Sequence, residues 1–199
     1  KGVVTSSPEL DGVTRRIPLV VNSQEKLYPS FALELLRVAI GDPSYQLKAG
    51  TQGIEWIRIP SYPLMNTDAN GRIFLDWNTK FYKQTGTEFI NNPIEAPFVI
   101  VGTTAEGVTN PVPTPAGPKY PHEIQANILH NLIQGSAPST PSWALAVEYA
   151  VALLAFLTLA FASRSIWLSV PALALFTVGS SYGAWYAYQS SYLIDASGI

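Results

Sequence analysis

The chain has 199 residues, a net charge of −2, only 13% charged residues and no cysteine. Without cysteine there is neither a disulfide framework nor a thiolate metal site. The basic residues stand singly apart from Arg15-Arg16, so the phosphate-neutralising stripe that nucleic-acid binding needs is absent.

Residues 1–27 read as loop and strand, with Pro18-Leu19-Val20-Val21 as a short buried run. There is no initiator Met and no apolar signal core before Pro18, so residues preceding Lys1 are expected to be missing from this sequence or removed in maturation. Pro29 suits the first turn of a helix running to Ile40, in which Phe31, Leu35 and Val38 recur at helical spacing and Gly41 and Pro43 stop the helix. Residues 42–54 read as loop. Alternation predicts a strand over Ile54–Ile59, with Ile54, Trp56 and Arg58 on one face and Glu55, Ile57 and Ile59 on the other. Asn70-Gly71 signals a tight turn before a strand from Arg72 to Leu75. Ala96-Pro-Phe-Val-Ile-Val-Gly102 is the clearest buried strand by composition, and Thr103–Tyr120, with four prolines, reads as a long irregular loop. Pro121 opens a helix to Gly135 whose Ile124, Ile128 and Leu132 share one face.

Charge then almost disappears: of the 12 Lys and Arg only Arg164 follows Ser142, and of the 14 acids only Glu148 and Asp195 do. A linker at 136–142 leads to two apolar segments, 143–162 and 166–188, each long enough as a helix for the ~30 Å hydrocarbon core of a bilayer. The expected architecture is an α/β extrinsic domain at 1–135, then an α-helical transmembrane hairpin, then a tail at 189–199 on the same side as the domain. Trp143, Trp167, Trp185, Tyr186 and Tyr188 are the candidate membrane anchors, placed as an interfacial aromatic belt would place them. Glu148, the one acid inside a span, either snorkels to the interface or meets a partner in another membrane helix.

Candidate chemistry is sparse. His122 and His130 stand eight apart on one predicted helix, roughly 12 Å, and read as surface or capping residues rather than metal ligands. Gly102 to Gly107 has phosphate-loop glycines without the lysine. Asp11, Asp42, Asp68 and Asp76 sit beside turn residues and are expected to serve the backbone. No catalytic constellation, cofactor motif or metal site emerges, and the reading is non-enzymatic.

Several stretches taken in order carry a resemblance: Asp11–Leu19, Tyr28–Leu33, Val101–Gly107, Thr114-Pro115, and Glu123 to Leu132 followed at once by apolar segments. Together they resemble the second class of CHASE domains, extracellular sensory domains associated with bacterial cyclases and histidine kinases. The resemblance implies an N-terminal half before Lys1, three following spans and a cytoplasmic output domain. This chain departs from the pattern at Asn110, where an acid is usual, and at Gln125-Ala126-Asn127, where His commonly precedes Ala-Asn. What it implies for function is a sensory input module in a bacterial inner membrane, passing strain from the helix ending at Gly135 into the first span. The positive-inside rule puts Arg164 in the cytoplasm, with the domain and the C-terminal end on the periplasmic side. Expected partners are membrane lipid, other membrane subunits or a second copy, and an unidentified small molecule, with no nucleic acid. The alternative is a structural or accessory subunit of a larger respiratory or photosynthetic complex, docking through the Pro-rich loop Thr109–Pro121 and the small residues of the second span.

Overall fold

The chain divides into two units, Lys1–Ala137 and Pro138–Ile199. The computed structural model describes residues 1–6, 8–51, 53–77, 79–139, 143–162, 166–189 and 192. Arg164, and the tail except Gln189 and Tyr192, lie outside the described residues.

The first unit is a mixed α/β domain built from small antiparallel ladders and two principal helices. β1 (Arg16–Pro18) pairs with β7 (Arg72–Phe74), and β2 (Val20–Ser23) forms a hairpin with β3 (Lys26–Pro29). β4 (Gln46–Gly50), β5 (Gly53–Arg58) and β6 (Met65–Asn66) make a three-stranded sheet in that order, and β8 (Val112–Thr114) pairs with β9 (Gly117–Lys119). The helices are α1 (Phe31–Ala39), the short α2 (Gly86–Asn91) and α3 (Pro121–Gln134).

One core gathers Ile17, Leu19 and Val20 from β1, β2 and the residue between them, Leu33 and Leu36 from α1, Ile57 from β5 and Ile59 just after it, Ile73 from β7 and Leu75 just after it, and Ile124, Ile128 and Leu132 from α3. Leu19 shows how the short elements lock together. Its N–H donates to the Gly71 carbonyl at 2.9 Å, and its own carbonyl accepts from the Ser30 N–H at 2.7 Å. Both polar groups of a fully buried peptide are thereby satisfied. The β2–β3 hairpin turns on Gln24 and Glu25, both at positive φ, which is the backbone of the tight turn that suits strand twist but is normally made with Asn-Gly.

Five sequence expectations need correction. Pro29 ends β3 and does not open α1. The N-cap is Ser30, whose hydroxyl accepts from the Leu33 N–H. The buried face of α1 is Ala32, Leu33 and Leu36, while Phe31 and Val38 are exposed, because the apolar residues extend round more than one face and packing selects the other. Residues 42–54 contain β4, whose exposed edge carries too few apolar residues to signal a strand. The loop 103–120 contains the β8–β9 hairpin, with Gly117 at positive φ. Most consequentially, Ala96–Gly102 is neither a paired strand nor buried.

α3 carries the main polar insertion into the core. Asn131, fully buried, accepts the Asp76 N–H at 3.2 Å through Oδ1 and donates through Nδ2 to the Asn127 carbonyl at 2.8 Å. Gln125 accepts the Ala32 N–H at 3.1 Å, satisfying a donor that the start of α1 leaves without an intrahelical partner. Buried side-chain amides bonded to backbone fix the position of α3 against α1 and the strand exit in a way that apolar contact alone would not.

The second unit contains α4 (Ala144–Ala162) and α5 (Ile166–Gln189), with Pro171 inside α5. Among the described residues no helix is long and apolar enough to cross a membrane. Several positions in both helices, among them Leu145, Leu159, 161–162 and 166–169, have side chains outside the described set.

Candidate functional site

Two surface cavities stand out on the first unit. The one lined by Lys1, Glu34, Arg37 and Tyr45, about 330 Å³, is built round an internal ion pair. Arg37 holds Glu34 through Nε and Nη2, both at 2.8 Å, and spends Nη1 on the Asp42 carbonyl at 2.7 Å. The guanidinium in turn keeps the Glu34 carboxyl below the ordinary glutamate range. That arrangement fastens α1 and commits the Glu34 and Arg37 charges to each other.

The other is a groove of about 310 Å³ between Val4, Phe31 and Leu35 on one wall, Val99, Ile100 and Val101 on the next, and the first turns of α3 (Pro121, His122, Gln125). It falls within the size range of binding clefts, and its lining is apolar with few polar groups. The start of α3 shapes its polar end. Pro121 occupies a position where no N–H is required, and Glu123 reaches back to accept the Tyr120 N–H at 2.7 Å. Burial pushes the Glu123 carboxyl up, but the Lys83 ammonium and the Tyr120 N–H outweigh it and leave the group below its usual range. His122 stacks on Tyr120 with ring centroids 5.9 Å apart, and its ring lies against Gly102 so closely that a Cβ there would overlap it.

Gln125 is 3% exposed yet lines the groove. Its Oε1 is taken by Ala32, whereas its Nε2 makes no hydrogen bond among the described residues. Among those residues, no three metal-ligating side chains converge. His130 is separate, edge-on to Phe81 with centroids 6.0 Å apart.

Trp143 is half-exposed, with its ring against Tyr192 at 5.7 Å. Glu148 lies half-buried in the second turn of α4. Trp185 and Tyr186 are exposed near the end of α5, and the side chains of Trp167 and Tyr188 lie outside the described set. The turn acids are engaged with backbone: Asp11 accepts from Val13, Asp42 from Ser44, and Asp68 from Asn70 and Arg72. The groove itself escaped the sequence reading. Its one available signal, the apolar run Phe98–Val101, reads equally as core.

Neither the curated proteins nor the solved structures contain a match to this chain. A family model described as the CHASE2 domain matches residues 1–163, which takes in the whole first unit and all of α4. The chain therefore belongs to the CHASE2 domain family of extracytoplasmic sensory domains.

Proposed function

We propose that this chain is a non-catalytic sensory input module whose first unit lies on the periplasmic side of an inner membrane, anchored by α4 and α5 as a two-span hairpin. The observation that carries the anchoring is the outward display of large apolar side chains on both helices. Leu153, Leu154 and Phe156 on α4, and Val170, Leu175 and Val178 on α5, are all more than half exposed. Water penalises such a surface by roughly 25 cal/mol per Å², whereas lipid does not. Over their full lengths, α4 has Glu148 as its one charged residue and α5 has none. Helices of these lengths reach ~28 Å and ~36 Å. The CHASE2 match extends through α4, so the family pattern includes this helix.

The absence of cysteine makes topology directly measurable. A cysteine placed at Glu25, in the exposed β2–β3 turn, is expected to react with a membrane-impermeant maleimide in intact cells. One placed at Arg164 is expected to react only after permeabilisation. Equal labelling of both in intact cells, or release of the chain by alkaline carbonate, would remove the hairpin from the account.

A further inference from the structure

We propose that the groove beside Ala96–Gly102 takes an extended, uncharged, apolar peptide strand that pairs with the main chain of this segment. Its side chains alternate as in a strand. Phe98 and Ile100 pack against the core, while Val99 and Val101 are 49% and 87% exposed. Its backbone does not behave as a strand should inside a finished domain. From Ala96 to Gly102 no main-chain N–H or C=O is hydrogen-bonded to any described residue. A run with this much β-branched apolar content and an unpaired edge is a template for another strand.

The groove supplies the rest of the recognition. Its apolar wall, from Val4, Phe31 and Leu35, carries no charge, so it selects an uncharged occupant. The Gln125 Nε2, held in a side chain buried by its bond to Ala32, offers a fixed donor for a peptide carbonyl. A compact apolar molecule would fill the cavity and leave the edge unpaired. The same segment of a second copy is a poor occupant, because its Phe98 and Ile100 are committed to that copy's own core and only one face remains free. A free strand has both faces and both main-chain edges available. This names the ligand class of the proposed sensory site and rests on the sensory reading for its biological meaning alone.

The test uses the full chain in lipid nanodiscs with a capped seven-residue peptide of alternating Val and Thr, reading amide hydrogen exchange at Val99, Ile100 and Val101. Peptide is expected to slow exchange at these amides saturably, by on the order of tenfold or more. The same peptide N-methylated at alternate residues, which cannot pair, is expected to have no effect. Val101→Pro, at an exposed position, is expected to abolish the slowing at Val99 and Ile100 by the unmodified peptide. Three results would overturn the proposal: no slowing with the unmodified peptide, slowing by hexanol but not by peptide, or protection without peptide that rises with protein concentration. The second would assign a small-molecule pocket, and the third a self-association edge. Exchange at these amides can be repeated with the chain held in an amphipathic polymer. A failure of the membrane anchoring therefore shows up in the cysteine labelling and not here.

Discussion

Two short apolar runs of the first unit, Ile17–Val20 and Ala96–Gly102, have similar composition and opposite fates. Each contains a proline and β-branched residues and no charge. The first is almost wholly buried: β1 pairs with β7, β2 pairs with β3, and the Leu19 peptide is bonded on both sides. The second has the side-chain alternation of a strand and none of the hydrogen bonds. Apolar composition therefore specifies a tendency to extend, and a partner decides whether the extended segment becomes core. The difference between the runs lies in what flanks them, which is non-local.

The largest effect should come from the paired run. Leu19→Ala removes a fully buried side chain and is expected to cost about 2–5 kcal/mol, whereas Val101→Ala should fall within about 0.5 kcal/mol. Exchange free energies of the core amides in the first unit measure both. Equal costs would mean that the second run is packed as tightly as the first, and the comparison would fail.

Next in size is the amide that ties the strand exit after β7 to α3. Asn131→Ala strips the Asp76 N–H of its acceptor and is expected to cost about 1–3 kcal/mol. Accelerated exchange at Asp76 should exceed the change at Val99 or Val101. Uniform acceleration across both would show that α3 supports the two runs equally.

The sequence revealed these regions unevenly, and for physical reasons. α3 was legible because Pro121, Gly135 and the Ile124–Ile128–Leu132 spacing all act within one element. The core face of α1 was not, since Phe31, Leu35 and Val38 form as regular a stripe as Ala32, Leu33 and Leu36, and only α3 arbitrates between them. β4 and the β8–β9 hairpin exist through cross-strand pairing that no local period reports. Of the groove, the run at 98–101 was visible as apolar, but its exposure was not. Gln125 was visible only as a departure from the family pattern, because a buried amide with one free donor is defined by residues 93 positions away.

A smaller effect is expected at the turn that brings β3 to β2. Gln24 and Glu25 both hold positive φ without being glycine. Glu25→Gly relieves one such residue and is expected to stabilise the first unit by about 1 kcal/mol. The gain should appear at Val20 and Val21 and be absent at Val99. Destabilisation instead would mean that the Glu25 side chain contributes more than its backbone costs.

The smallest effect separates the runs by charge. Ahead of the paired run lies a network in which Arg15 bridges Glu9 and Asp11, while Arg16 lies near Glu9 and Asp68 and sits over the Phe74 ring, 4.5 Å from its centroid. The Arg15 guanidinium, helped by the Val13 N–H, draws the Asp11 carboxyl from 3.8 down to about 2. A carboxyl depressed in the folded state favours folding above its unfolded value, and that contribution disappears as pH falls through the folded one. The window is therefore from 3.8 down to about 2. Because Asp11 is solvent-exposed, screening keeps its effect on stability small, and the sharper readout is the titration itself. Carboxyl carbon NMR should place the Asp11 midpoint near 2 in the native chain and shift it toward 3.8 in Arg15→Gln. Among the described residues Ala96–Gly102 takes part in no ion pair, so acid in this window should perturb Arg16 and Ile17 and leave Val99 and Val101 unchanged. An equal response from both would show that the two runs share an electrostatic environment despite their different partners.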